Sequence, residues 1–586
     1  LVHSINVEAY VKSRTQSDAL VHWTAGVSTL DLYVNPANTQ GYSTSLVQTQ
    51  VAAAIAQWNG KSRMTLRQNS TSSTNQSNLN EIFFTTDPSI FASGSGVVGL
   101  TQVYYKNNTG EILEADILIN DTFTFSTDPN DVNYLGNVIT HEMGHFLGLG
   151  HSQVVGSTMF YALARGQNQL DTDDKAGVYT LYPTGDTTKG VITGKLVGGN
   201  SLAAVFGAQV QAISLKNGEV AGADLTDIDG TFTISGLSKD DQYFIYNGPV
   251  TQIGLPTRYS NARSDFCASS TKYRGSFYQA CGSSNEGYPL AVKLASDQVD
   301  IGNITIRCGV DVPVDYIGAK ASTSSVFDLR DGVNSGVGNA FVGYFSSQDI
   351  NATGTTDHFK ISYSGVDWST IAATGNLYVE LRVLNQNFFS LFKANVAVTR
   401  PSGAVAGVAA YTQNADGWLN INTTIRIPIN RSLSSDNDFD VTITPANMKF
   451  PYFPTSLNAF SLEDYFPAYT TFQDSLYFYL VTASIVKDNG NSTFSLVSFK
   501  NQTLSDNSTC PDAVNTYALT TYSANGTTSS SKKRAAGIAC GTVDMQGGPG
   551  NGPGGFFIGL ILSLMVCALT SSIIKQIKSK HYSKIA

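Results

Sequence analysis

Charge is scarce in this chain: Asp, Glu, Lys and Arg together make up 14% of its 586 residues, and the formal net charge is −9. With no basic stripe in the soluble part, nucleic acid is not an expected partner. Cysteine is scarce too, six in all and none before Cys267. A thiol role in any chemistry of the first 260 or so residues is thereby excluded. An initiator methionine is missing: the sequence starts at Leu1 and shows no signal-peptide pattern, which fits an export signal already removed. Histidine is rare, seven residues, yet three of them fall between positions 141 and 151. What the chain has in quantity is Gly, Tyr, Phe and uncharged polar residues, with 53 glycines, 28 tyrosines and 30 phenylalanines. Such a composition reads as an extracellular, β-rich protein with uncharged polar surfaces. Its length predicts roughly three to five domains.

The three clustered histidines belong to His141-Glu142-Met143-Gly144-His145-Phe146-Leu147-Gly148-Leu149-Gly150-His151. On a helix, His141 and His145 are four residues apart and share a face. Gly148 stands where such a helix must stop and the backbone turn sharply. The turn brings His151 back as a third nitrogen donor. Three neutral imidazoles around Zn²⁺ leave a fourth position for water, the pattern of a catalytic rather than a closed structural zinc. Glu142, next to the first ligand, is placed to take a proton from that water.

This motif, H-E-x-x-H-x-x-G-x-x-H, resembles the signature of the metzincin metalloendopeptidases. The resemblance implies a methionine-containing turn beneath the metal, for which Ser157-Thr158-Met159-Phe160-Tyr161 is the candidate. Ser152 after the third histidine, and the run from Leu170 through Asp173-Asp174 to Leu181-Tyr182, are similar to the matrixin branch, the family of the matrix metalloproteinases. The likeness covers about the first 185 residues. It implies an α+β catalytic domain, protein or peptide substrates, and Met159 as an apolar floor under the imidazoles. Tyr161 is two residues past Met159, where astacin- and serralysin-type metzincins carry a tyrosine near the zinc. It is therefore either a stabiliser of the developing oxyanion or a packed aromatic.

Periodicity agrees with this order of elements. Strands are expected over 29–34, 64–67, 81–85, 97–105 and 112–119, a helix over 43–58, and the histidine helix from Asp131 as N-cap to Gly148. The family resemblance assigns the strand before that helix, 112–119, to edge pairing with substrate. Two matrixin features are missing. No histidine lies between His22 and His141 for a second, structural zinc, and no cysteine precedes the motif for a cysteine switch. Asp87, Asp116 and Asp121 are candidate calcium ligands, with plain solvation as the competing reading.

The expected fold is an α+β metzincin-type catalytic domain over 1–186, then several all-β sandwiches and a C-terminal transmembrane helix. Residues 187–311 resemble a carboxypeptidase regulatory-like (transthyretin-like) sandwich, from the Asp227-x-x-Gly230-x-Phe232 strand entry, an analogy without activity. Alternating segments predict a sandwich over 312–450 and a β-rich region over 451–546. Cys267–Cys281 and Cys510–Cys540 are plausible disulfides with Cys308 left over; Cys281–Cys308 is the alternative. After a Gly/Pro-rich lead at 547–555, the uncharged run from Phe556 to Ile574 is long enough to span a bilayer. The basic tail 575–586 then orients the protease outward, at the cell envelope or cell surface. A cleaved C-terminal sorting signal would read the same way. The combined reading is a surface-anchored zinc metalloendopeptidase acting on extracellular proteins. The rival is a surface adhesin whose β-domains carry the function, with the zinc unit vestigial or used for maturation.

Overall fold

The structure, a computed structural model, describes residues 2–3, most of 13–248 and of 272–309, and separate strands between 326 and 546. The first part of the chain runs β1 (Val2–His3), β2 (His22–Trp23), β3 (Thr29–Val34), α1 (Thr44–Trp58), β4 (Thr65–Ser70), β5 (Glu81–Thr85), β6 (Val97–Tyr105), β7 (Glu111–Asn120), α2 (Leu135–Phe146) and α3 (Thr172–Leu181). β4, β3, β5 and β7 are parallel neighbours in that order, and β6 lies antiparallel on the outer side of β7. β2 continues the sheet at the start of β7.

Local chemistry explains the two helices that face each other on this sheet. α1 starts where the Ser43 hydroxyl accepts the Leu46 amide at 3.1 Å, and it ends before Gly60, whose φ is +77°. Val47, Val51, Ile55 and Trp58 form its buried stripe, at the spacing of one helix face. All of α2 is buried, so every polar group on it needs a partner. Its C-terminal carbonyls are met by side chains: Trp23 Nε1 donates to Phe146 O at 2.8 Å and Tyr182 OH to Leu147 O at 2.6 Å. Trp58 Nε1 donates to Thr140 O at 3.0 Å and ties α1 to α2. The helix begins at Leu135 with Tyr134 at its N-cap, three residues later than expected. Asp131 does not cap it: its carboxylate accepts Asn133 N–H at 2.9 Å and closes a turn ahead of the helix instead.

Residues 189–309 form two facing five-stranded sheets. Their strands are β8 (Lys189–Gly198), β9 (Ala203–Ala204), β10 (Gln209–Ser214), β11 (Val220–Leu225), β12 (Thr231–Ser238), β13 (Gln242–Gly248), β14 (Lys272–Arg274), β15 (Ser276–Phe277), β16 (Ala291–Lys293) and β17 (Gln298–Gly309). One sheet has the order β11-β10-β13-β15 and the other β12-β8-β17-β14. Ile192, Leu196, Val210, Ala212, Phe232, Ile234, Tyr243 and Ile245 meet between them in a core separate from that of the first unit. Further on, two more five-stranded sheets are described. In one, Leu377–Leu384 lies between Phe478–Gly490 and Asn422–Pro428, so hydrogen bonds join segments from either side of position 450.

Three expectations need correction or a boundary. The architecture is mostly sheet, with three helices among the described residues and none long and apolar enough to cross a membrane. The fold of the described residues therefore includes no transmembrane helix: a charge-free run fixes only hydrophobic length. The segment from Phe556 to Ile574 lies outside the described residues. The strand assigned to substrate pairing, 112–119, is interior, because β7 is hydrogen-bonded to both β6 and β5. β6 lies beyond it, and β6 in turn is paired in parallel with Ala539–Gln546. Cys267, Cys281 and Cys510 lie outside the described residues, and no disulfide occurs among the described ones.

Asp116 shows how β7 carries a cost. It is fully buried, its Oδ1 accepts Glu81 N–H at 2.9 Å, and its Oδ2 has no partner. Burial pushes its carboxyl up to about 8, with Glu114 and Glu81 adding to the rise. The folded state therefore holds a proton that the unfolded chain releases at ordinary carboxylate pH. Stability from this group is complete below about pH 4 and is lost as pH rises toward 8. Asp116→Asn is expected to raise the melting temperature by several degrees at pH 8 and by little at pH 4. Equal shifts at both values, read by calorimetry, would contradict this account.

Candidate metal centre

α2 carries His141 and His145 one turn apart on its buried face, and their rings sit edge to face with centroids 4.8 Å apart. Past Phe146 the chain turns at Gly148, where φ is +94° and an added Cβ would lie 2.7 Å from Val21 O. Only glycine fits there without strain. The turn returns His151 to within 5.2 Å of the His141 ring and 4.8 Å of the His145 ring, centroid to centroid. One ligand atom from each histidine lies within 4.8 Å of the others. Among the described residues, no other group of three or more His, Cys, Asp or Glu side chains is gathered this closely.

Backbone carbonyls orient two of the rings. His141 Nδ1 is 2.7 Å from Thr158 O, and His145 Nδ1 is 2.8 Å from Leu149 O. A carbonyl only accepts, so each Nδ1 bears the proton and each Nε2 presents a lone pair. Those two Nε2 atoms are 3.1 Å apart, with nothing to donate between them. Two ligands about 2.0–2.1 Å from a tetrahedral metal would be roughly 3.3 Å apart. Both ring nitrogens of His151 are buried without a partner. Orphaned nitrogens and facing lone pairs fit a cation at this point. Burial pulls the His141 ring down to about 4 and, with the neighbouring imidazoles, holds His145 and His151 well below their ordinary value. All three are neutral near pH 7, the form a metal requires.

Glu142 is fully buried between α2 and β6. Thr101 of β6 donates its hydroxyl to Glu142 Oε2 at 2.7 Å and approaches Glu142 O at 3.0 Å. β6 can run this close because residue 99 is glycine: a Cβ there would stand 2.6 Å from Glu142 Oε1 and 2.7 Å from Val138 Cγ1. Neither residue carries a sequence signal, since 41 positions separate Thr101 from Glu142.

Met159 is fully buried under α2, and a Cβ on Gly144 would stand 2.2 Å from its Sδ. Its turn is held from α3. Asp174 accepts the Thr158 and Met159 amides at 2.8 and 3.1 Å and the Ser157 hydroxyl as well. Asp171 N–H also donates to Asp174, at 2.8 Å, within the capping box that starts α3. Burial raises the Asp174 carboxyl, and these four donors oppose the rise. Tyr161 lies outside the described residues. The three acidic candidates for calcium are not brought together: Asp87 is exposed and accepts from its own loop at Ser89, Asp116 is inside the sheet, and Asp121 accepts Thr39 N–H at 2.7 Å.

Comparison with known proteins places this geometry. Residues 22–183 match the family model described as matrixin. Metalloendoproteinase 2-MMP of Arabidopsis thaliana is 34% identical over 119 residues, 18% of this chain and 31% of that protein. Matrix metalloproteinase-2 of Drosophila melanogaster is 35% identical over 102 residues, 17% of this chain and 13% of its own. Metalloendoproteinase 5-MMP of Arabidopsis thaliana is 44% identical over 57 residues, 9% of this chain and 16% of its own. The chain spans less than a third of each relative's length.

Proposed function

From a matrixin domain over residues 22–183, we propose that this chain is a zinc-dependent metalloendopeptidase cleaving extracellular proteins. The observation that carries the reading is the convergence of three neutral, buried imidazoles: the Nε2 atoms of His141 and His145 face each other at 3.1 Å, and both nitrogens of His151 are without a partner. His141, His145 and His151 would hold the metal. Bound zinc supplies polarisation of the scissile carbonyl and a water acidic enough to give up a proton near neutrality.

The remaining work belongs to Glu142. It stands next to the first ligand on the same helix, and its carboxylate takes the proton of the attacking water and returns it to the departing amine. Thr101 fixes one carboxylate oxygen by its hydroxyl, so the side chain keeps a single orientation while it exchanges that proton. Met159 serves as packing beneath α2, and its turn aims His141 through Thr158 O.

The purified chain is expected to bind about one zinc per molecule and to cleave an unfolded protein, with loss on chelation and return on adding zinc. His145→Ala should lose both metal and cleavage, because two imidazoles remain where three are needed. Cleavage that persists in metal-free protein, or full zinc in His145→Ala, would overturn the reading.

A further inference from the structure

α3 joins the metal centre to the following sandwich. On one side, Asp174 holds the methionine turn, and Asp173 Oδ2 accepts the Ser152 hydroxyl at 2.6 Å. Ser152 follows His151 directly. Its amide donates to Met159 O at 2.7 Å and its hydroxyl accepts Val154 N–H at 3.0 Å, so it fixes the backbone that carries the third imidazole.

On the other side, α3 packs on β11 and β12. The Thr172 hydroxyl donates to Glu219 Oε2 at 2.9 Å, beside the start of β11. A Cβ on Gly222 of β11 would lie 3.0 Å from Ile234 Cγ2 and 3.4 Å from Ala176 Cβ. Gly236 of β12, with φ +74°, approaches Ala176 Cα at 3.2 Å by the same measure. β11 ends its sheet, yet all six of its residues are buried, because α3 covers what would be an exposed edge. Arg14 adds an ion pair to Asp227 at 3.2 Å, between β11 and β12.

Asp173 faces both sides at once. The Ala223 amide of β11 acts on its carboxylate together with the Ser152 hydroxyl. Asp173 Oδ1 is buried with no hydrogen-bond partner. Leaving such an oxygen unsatisfied is destabilising. A residue serving packing alone would be better apolar.

We propose that the 189–309 sandwich is a positioning element of the metal centre. β11 and β12 brace α3, and Asp173 passes that support through Ser152 to the loop bearing His151. This rests on the reading of the three histidines as zinc ligands. It also makes residues 1–186 an incomplete enzyme: without the sandwich, α3 exposes Ala176 and Asp173 to water, and the His151 loop loses its fixed anchor.

The test uses the full chain. Gly222→Val inserts an isopropyl group between β11 and α3, and Thr172→Val, which is milder, removes only the bond to Glu219. Each is made alone and with Ser152→Ala. The readouts are the zinc dissociation constant by competition with a chromophoric chelator and the visible spectrum of the Co²⁺-loaded protein.

Outer supports of metal ligands commonly change affinity ten- to a hundredfold, so Gly222→Val is expected to weaken zinc by about that factor, Thr172→Val by several-fold. Both should alter the Co²⁺ spectrum with far-UV dichroism unchanged. In the Ser152→Ala background, neither should add more than about twofold, because the link is already cut. Zinc affinity within twofold of wild type in both variants, or losses that add fully to that of Ser152→Ala, would overturn the proposal. If Gly222→Val fails to fold, Thr172→Val decides alone. Wild-type protein that binds no metal would refute the zinc reading instead.

Discussion

Glu142→Gln should keep zinc at about one per chain and lose roughly 10²- to 10⁴-fold in kcat, the range general-base catalysis contributes. Gln has nearly the same shape, and its amide oxygen can still accept the Thr101 hydroxyl that now bonds Oε2 at 2.7 Å. The fold and the three imidazoles are therefore undisturbed, and what disappears is the group that takes the proton. Gly99→Val approaches the same carboxylate from the strand side. Its Cβ would meet Oε1 at 2.6 Å and Val138 Cγ1 at 2.7 Å, and both belong to a helix that is buried along its whole length. Since α2 cannot retreat, the carboxylate must turn away. A large fall in kcat with zinc retained is the expected result, measured on a quenched peptide with metal analysis in parallel. If Glu142→Gln cleaves at the wild-type rate, the proton is handled elsewhere and the mechanism fails.

How much of this site could be read from the sequence depends on sequence distance. His141 and His145 are legible because helical geometry alone sets their relation, and His151 because Gly148 marks the turn between. The contacts that orient them are not legible. Thr101 reaches Glu142 across 41 positions, and Ser152 reaches Asp173 across 21. Each exists only because β6 crosses α2 or α3 folds back under the loop, and neither crossing leaves a local pattern.

The helix start is illegible for a related reason. Asp131 is a good capping residue by type, but it spends its carboxylate on a turn at Asn133, and α2 begins without a side-chain cap. Burial on every side replaces the cap. The edge role that the family resemblance gives to 112–119 fails because β7 is paired on both sides, and alternation cannot reveal this: it shows which faces of a strand are apolar and not what pairs with its sides. For the same reason an uncharged apolar run alone could not establish a membrane helix.

Gly144 sits inside the motif at a position that tolerates any residue in the helix pattern, yet here its smallness has a definite use. A Cβ would stand 2.2 Å from Met159 Sδ and 2.9 Å from Trp58 Cζ2. On helix propensity alone, Gly144→Ala would stabilise α2 by about 1 kcal/mol. Overpacking a filled core costs about 1–3 kcal/mol, and here the steric term wins, because neither neighbour has room to move. Trp58 is pinned by its indole N–H on Thr140 O at 3.0 Å. Met159 hangs from a turn whose amides are bonded to Asp174 at 2.8 and 3.1 Å.

The displacement would therefore pass into the turn itself and shift Thr158 O, which holds His141 Nδ1 at 2.7 Å. Gly144→Ala is expected to weaken zinc by about tenfold or more, an effect of the size seen when a ligand loses its orienting partner. Met159→Ala should cost stability by itself, since it leaves a cavity. Combined with Gly144→Ala it should restore most of the zinc affinity, because the new methyl group fills part of the space the thioether left. Equal zinc binding in Gly144→Ala and wild type, or no recovery in the double variant, would show that the methionine turn does not control the first ligand.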